Sequence, residues 1–149
     1  MNKQNPKLLD NRTDLKSLTF QCLSTALDIL KSDENGNISI DSDTNVIIIT
    51  NFGTVEGTLI DFNKSIDDPN KAFVNALFEK VFEVRNDRII ELENENNQFK
   101  LINDTNSLTL ENVTITPYAN SNNKFNLGEL ILFSDQIVGL SIGKIRHTN

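Results

Sequence analysis

Side-chain chemistry requires titratable or nucleophilic groups set against one another, and few residues of this chain qualify. The single cysteine, Cys22, and the single histidine, His147, stand near opposite ends of a 149-residue sequence. Together they cannot supply the four-ligand Cys/His set of a usual zinc site. No basic residue adjoins Cys22 to stabilise a thiolate, and the residue lies on an apolar helical stripe. That context predicts a small core side chain rather than a nucleophile. His147 closes the basic tail Lys144-Ile-Arg-His147, which predicts a frayed end rather than a general base. The acidic pairs Asp67-Asp68 and Glu91/Glu93 sit in polar stretches and read as solvated surface. The segment from Asp33 to Asp41 has the carboxylate and amide oxygens of a calcium loop, but its spacing fails. With Gly36 at the turn position, Lys31 falls where the first carboxylate belongs and Ser42 where the bidentate Glu belongs. No P-loop, Gly-x-Ser-x-Gly or dinucleotide fingerprint occurs. The expectation is a non-enzymatic protein with no catalytic residues, no metal site and no cofactor.

Charge narrows the partners. The net charge is −7, the sequence pI about 4.6, and no run of basic residues interrupts the acidic balance. Such a field repels a polyanion unless a local basic patch overrides it, which disfavours RNA. Hydrophobic residues make up 38% and charged residues 23%, values of an ordinary folded chain rather than a disordered one. A lone cysteine cannot form an internal disulfide and fits a reducing compartment. The segment Met1–Ser17 lacks the apolar core of a signal peptide, and no run approaches the ~20 apolar residues of a membrane span. A soluble cytoplasmic protein without membrane contact is expected.

The elements that would position any site follow from periodicity. Residues 1–12 read as a polar lead-in. From Thr13, Leu15, Leu18, Cys22, Ala26 and Ile29 recur at three- and four-residue steps, with Leu23, Leu27 and Leu30 beside them. This predicts a helix docked by that face, with Thr13 or Asp14 as N-cap and a stop at Asn35-Gly36; a partner-binding helix is the alternative. Asn45–Thr50 holds a short continuous apolar run, Val46 to Ile49, expected of a strand buried on both faces or closed into a barrel. Asn51-Phe-Gly53 predicts a tight turn in which Gly53 takes positive φ. Val55, Gly57 and Leu59 alternate along the next strand, where Gly57 marks a bend or a close backbone approach. Phe73, Val74, Leu77, Phe78 and Val81 predict a second, short helix, and Phe82–Glu93 an extended pair turned at Asn86-Asp87, with a helix running on through it as the alternative. Three β-rich runs close the chain: Ser107–Thr116, Phe125–Phe133 and Gln136–Ile142. Between Leu110 and Val113 the apolar phase slips by one residue, predicting a β-bulge at Glu111-Asn112.

These strands resemble the Sm-like family. Val46–Thr50, the turn at Asn51–Gly53 and Gly57-Thr-Leu-Ile-Asp-Phe62 are similar to the front half of its first motif. Ser107-Leu-Thr-Leu-Glu-Asn-Val113 is similar to the end of that motif, and Gly128–Val138 to the second. About forty residues, Lys64–Asn103, stand between the two halves of the first motif, where the family has a few. The family's base-pocket Asn falls on Ser107, beside Asn106. Its stacking aromatic falls near Thr105, and its Arg-Gly on Phe133-Ser134. The resemblance covers about half the chain. It implies an α+β, mainly β fold: a small, strongly bent five-stranded barrel with an N-terminal helix and an inserted helix/hairpin segment.

The corresponding domain plan is a lead at 1–12, one domain at 13–143 with an insertion at 64–103, and a tail at 144–149. Two functions follow from this plan. One is a non-enzymatic interaction or self-assembling module that pairs its strand edges between copies or engages a protein partner. The other is RNA binding through an atypical nucleotide pocket. It would use Asn103, Asn106, Ser107 and Gln136 on base edges, with Phe133 or Tyr118 as stacking platform. The acidic charge and the lost Arg-Gly favour the first.

Overall fold

The computed structural model describes residues 6–9, 14–33, 36, 40–64, 66–102 and 105–143. The chain divides into two compact units, one of residues 13–60 with 105–149, the other of residues 1–12 with 61–104. The second unit holds the long insertion between the halves of the strand pattern.

The first unit is built on five strands: β1 (Asn45–Thr50), β2 (Gly53–Leu59), β3 (Ser107–Pro117), β4 (Phe125–Phe133) and β5 (Ile137–Gly143). They form one antiparallel sheet in the order β4-β3-β2-β1-β5. A 3-10 turn, Ser134–Gln136, joins β4 to β5. Along β1 burial alternates, with Val46 and Ile48 in the core and Ile47 and Ile49 only partly covered. The strand is therefore buried on one face, not on both. The core joins Val46, Ile48, Val55, Leu108, Leu110, Val113, Leu132 and Ile137 to Phe20 and Leu27 of the N-terminal helix.

Two glycines let neighbouring backbones close up. At the β1–β2 turn, Thr50 Oγ1 donates to the Gly53 carbonyl at 2.6 Å and accepts from the N–H groups of Gly53 and Phe52 at 3.1 and 3.3 Å. A Cβ on Gly53 would collide with the Thr116 carbonyl oxygen and stand 2.9 Å from Pro117 Cα. Among the described glycines only Gly143 has positive φ, so Gly53 is there for clearance and not for a left-handed turn. At Gly57 a Cβ would lie 3.1 Å from the Glu111 carbonyl oxygen and 3.2 Å from Val113 Cγ2. The β2–β3 register passes from Glu56↔Thr114 to Thr58↔Glu111, leaving one extra residue on β3. Asn112 lies within that bulge with φ 52°. The bulge is where the slip in apolar phase predicts it.

Helix α1 (Leu15–Ser32) is capped by Asp14, whose Oδ1 accepts the Lys16 N–H at 2.9 Å. The Ser134 hydroxyl also donates to the Asp14 carboxylate, tying the helix start to the β4–β5 turn. Lys16 Nζ donates to the Ile137 carbonyl at 2.6 Å. The helix docks through Ser17, Phe20 and Leu27, with Leu23 partly covered. Of the expected docking face, only the Leu23 and Leu27 side is used, and the rest turns outward. Leu15 is 76% exposed and Ile29 61%, Leu18 and Leu30 are also exposed, and Cys22 faces solvent. Two apolar faces were available, and the sheet takes the one whose small Ser17 permits close approach and whose Phe20 offers the larger side chain.

In the second unit, helix α2 runs over Pro69–Glu95, with Asp68 as N-cap and Pro69 in its first turn. It continues through Phe82–Glu93, so the expected extended pair and its hairpin turn are absent. Asn86-Asp87 brings no glycine to reverse the chain, and strong helix formers surround it. Pairs one turn apart, Lys80–Glu83 at 3.2 Å and Arg88–Glu91 at 2.8 Å, support the continuation. Phe62 packs edge-on against Phe82 at a centroid distance of 6.5 Å, and the Arg85 guanidinium lies 5.0 Å over the same ring. Near the other end of α2, the Glu93 carboxylate accepts the backbone N–H groups of the 3-10 turn Lys7–Leu9. Residues 7–9 of the expected loose lead are therefore an ordered turn. The architecture is α+β: a five-stranded antiparallel sheet and two long helices.

Candidate functional site

The sheet order makes β4 and β5 its two outer strands. An outer strand presents unpaired backbone donors and acceptors, a template for another strand. Both edges add large apolar side chains. On β4, Phe125, Leu127 and Phe133 are exposed, and on β5, Val138 is 63% and Ile142 53% exposed. Val138 is also the extra residue where the β1–β5 register slips, from Ile49↔Gly139 to Thr50↔Ile137. That slip turns its side chain outward.

The residues suggested for a nucleotide pocket partly converge. Ser107 and Phe133 are register partners, and the Ser134 N–H donates to the Asn106 carbonyl at 2.8 Å. Asn106 Oδ1 accepts the Ser107 N–H at 2.9 Å, which uses part of its capacity for a base edge. Gln136 follows in the same 3-10 turn and is exposed, with its amide 3.5 Å from Asp135 Oδ1. Phe133, 56% exposed, is the aromatic beside these groups. Tyr118 is not, because it follows β3 at its far end, where its N–H donates to the Phe52 carbonyl at 3.1 Å. Asn103 lies outside the described residues, as do His147 and the rest of the 144–149 tail. The charge carried by residues 105–107 and 133–136 is that of Asp135, an acid, so a phosphate gains nothing from this cluster.

Several acids have structural employment. Asp68 caps α2 through a 2.9 Å bond from the Asn70 N–H, Glu91 pairs with Arg88, and Glu93 holds the turn at Lys7 and Leu8. Of the calcium-like stretch, Asp33, Gly36, Ile40 and Asp41 are described. Lys31 Nζ donates to the Ser42 carbonyl at 3.1 Å, so the two residues that break the calcium spacing bind each other. Among the described residues no group of three or more His, Cys, Asp or Glu could hold a metal. None of the helices described is long and apolar enough to cross a membrane.

In the second unit, Lys7, Leu8, Glu93, Asn94, Asn96, Asn97 and Phe99 line a pocket of about 210 Å³. That is below the roughly 300–1,000 Å³ of small-molecule sites, and its Glu93 is already committed to the turn. Sequence reasoning missed the Asp14–Ser134 link and the docked face of α1. The signal for that face was present in Ser17, Phe20 and Leu27, a second set at helical spacing.

Comparison with protein-family models, curated proteins and solved structures found no match to this chain. Its class is set by its own architecture: an α+β protein whose antiparallel sheet ends in two apolar edge strands.

Proposed function

We propose that this protein is a non-enzymatic, self-assembling interaction module, in which an Sm-like bent sheet pairs its β4 edge with the β5 edge of another copy. The observation that carries the reading is the placement of β4 and β5 at the two ends of one sheet, each with exposed large apolar side chains. Two different edges make a head-to-tail contact, which closes into a ring when the rotation per subunit divides a full turn. Pairing removes both unpaired edges and covers the apolar side chains upon them. Size-exclusion chromatography with light scattering tests it. Wild type is expected to assemble beyond a monomer, and Leu127→Lys or Val138→Lys to break that assembly. A monomer at high concentration, or assemblies indifferent to both substitutions, would reject it.

A second reading, RNA binding, rests on the convergence of Asn106, Ser107, Phe133 and Gln136 at one end of β3 and β4. A pool of short single-stranded RNA added to the same experiment decides between them. A shift that disappears on Phe133→Ala would favour the second.

A further inference from the structure

The outward stripe of α1 is self-complementary. Leu15, Leu18, Cys22, Ala26 and Ile29 are separated by three, four, four and three residues, a spacing symmetric about Cys22. Reversing one helix against another with Cys22 at the crossing sets Leu15 opposite Ile29, Leu18 opposite Ala26, and Cys22 opposite Cys22. Large meets small at the inner pair, and the centre carries small side chains, so the two helices can approach closely. The stripe lies opposite the face that docks on the sheet through Ser17, Phe20 and Leu27, and it is exposed at every position. In a soluble chain such a contiguous apolar surface marks an interaction site.

Charge along the stripe permits the same occupant. The chain carries −7, so two copies repel unless their contact is neutral or complementary. No Asp, Glu, Lys or Arg lies on the stripe, or at Thr19 and Thr25 beside it. The lysines of α1 are turned elsewhere, Lys16 to the Ile137 carbonyl and Lys31 to the Ser42 carbonyl. Antiparallel pairing also sets the positive N-terminal end of each helix dipole beside the negative C-terminal end of its partner. We infer that the outer face of α1 is a two-fold interface with a second copy of this chain, the helices antiparallel and crossing at Cys22.

The stripe spans about 21 Å of helix at 1.5 Å per residue. Two such helices alone cover less than the roughly 1,600 Å² of a standard interface, so the dimer is weak and depends on concentration. This contact uses a surface separate from the strand edges and stands whether or not they pair.

The test uses the full chain carrying Leu127→Lys, so that β4-edge assembly does not contribute. A short bis-maleimide is expected to link Cys22 to Cys22 as protein concentration rises. The register is read in a Cys22→Ser background with Leu18→Cys on one preparation and Ala26→Cys on a tagged second. The mixture is expected to cross-link far better than either alone. Equal yields from the three samples, or links confined to like positions, would overturn the antiparallel register. Ile29→Lys buries two ammonium groups in the paired form and none in the monomer, so the dimer Kd should rise by roughly tenfold or more. Sedimentation reads that change, while far-UV circular dichroism stays constant because position 29 is exposed. An unchanged Kd, or a wild-type stripe that stays monomeric at high concentration, would refute the interface.

Discussion

Glu93 holds Leu8 in place: its Oε1 accepts the Leu8 N–H at 2.8 Å while Oε2 receives the Lys7 N–H at 3.3 Å. A carboxylate late in α2 thereby does for a 3-10 turn what an N-cap does for a helix. Removing it leaves backbone donors to water, at a cost of about 1–2 kcal/mol for a charged bond in partial contact with solvent. Glu93→Ala should abolish hydrogen-exchange protection at the Leu8 amide, and Glu93→Gln should retain part of it. Equal protection in wild type and Glu93→Ala would show that the turn is held by other contacts.

Gly53 and Gly128 should respond oppositely to the same substitution. Gly53→Ala drives a methyl into the Thr116 carbonyl and Pro117, so a backbone shift costing about 2 kcal/mol or more is expected. Gly128→Ala meets nothing within 4 Å on exposed β4 and removes unfolded-chain entropy, for a gain of up to about 0.5–1 kcal/mol. Urea denaturation of the two variants beside wild type gives both signs at once.

Asn112 sits in the left-handed region at φ 52°, inside the bulge of β3. Asn112→Gly should be close to neutral. A β-branched residue is penalised there, and Asn112→Val should cost about 1–2 kcal/mol. If Val is tolerated as well as Gly, the bulge does not require that conformation.

The Asp14 carboxyl is held below the usual carboxylate range, chiefly by the Ser134 hydroxyl, with burial opposing as the next largest effect and the N–H groups of Lys16 and Ser17 adding smaller contributions. A carboxyl depressed in the folded state contributes stability above its unfolded pKa, and that contribution is lost as pH falls through the folded pKa. Asp14→Asn keeps a capping oxygen and removes the titration. Its stability curve should therefore run flatter than wild type between mildly and strongly acidic pH. Ser134→Ala should move the Asp14 titration upward, which side-chain NMR can follow. An unmoved Asp14 in that variant would remove the link between α1 and the β4–β5 turn.

The strands were legible because their information is local. β1 and β4 have the bounds that apolar runs and flanking Asn, Ser and Gly residues predict, and the bulge follows from a slip of one residue in β3. Pro117 and the polar loop after it end β3 for reasons carried by those residues alone. The candidate cluster at Asn106, Ser107, Phe133 and Gln136 was legible only as a set of positions. Its convergence depends on the β3–β4 register, and the same register sends Tyr118 to the far end of the strand.

Other features were settled by contacts between distant residues. Periodicity announces that α1 is a helix, but it carries two apolar faces, and the choice between them depends on the space the sheet leaves. Phe20 and Leu27 find that space among Val46, Ile48 and Leu132, while Leu15, Cys22 and Ile29 are left outside. Gly53 looked like a turn glycine from its neighbours, yet its role depends on Thr116 and Pro117, more than sixty residues away. Periodicity and turn chemistry act over a few residues and so write themselves into the sequence. Which face is buried, and how near two backbones come, depends on volumes contributed by the whole folded chain.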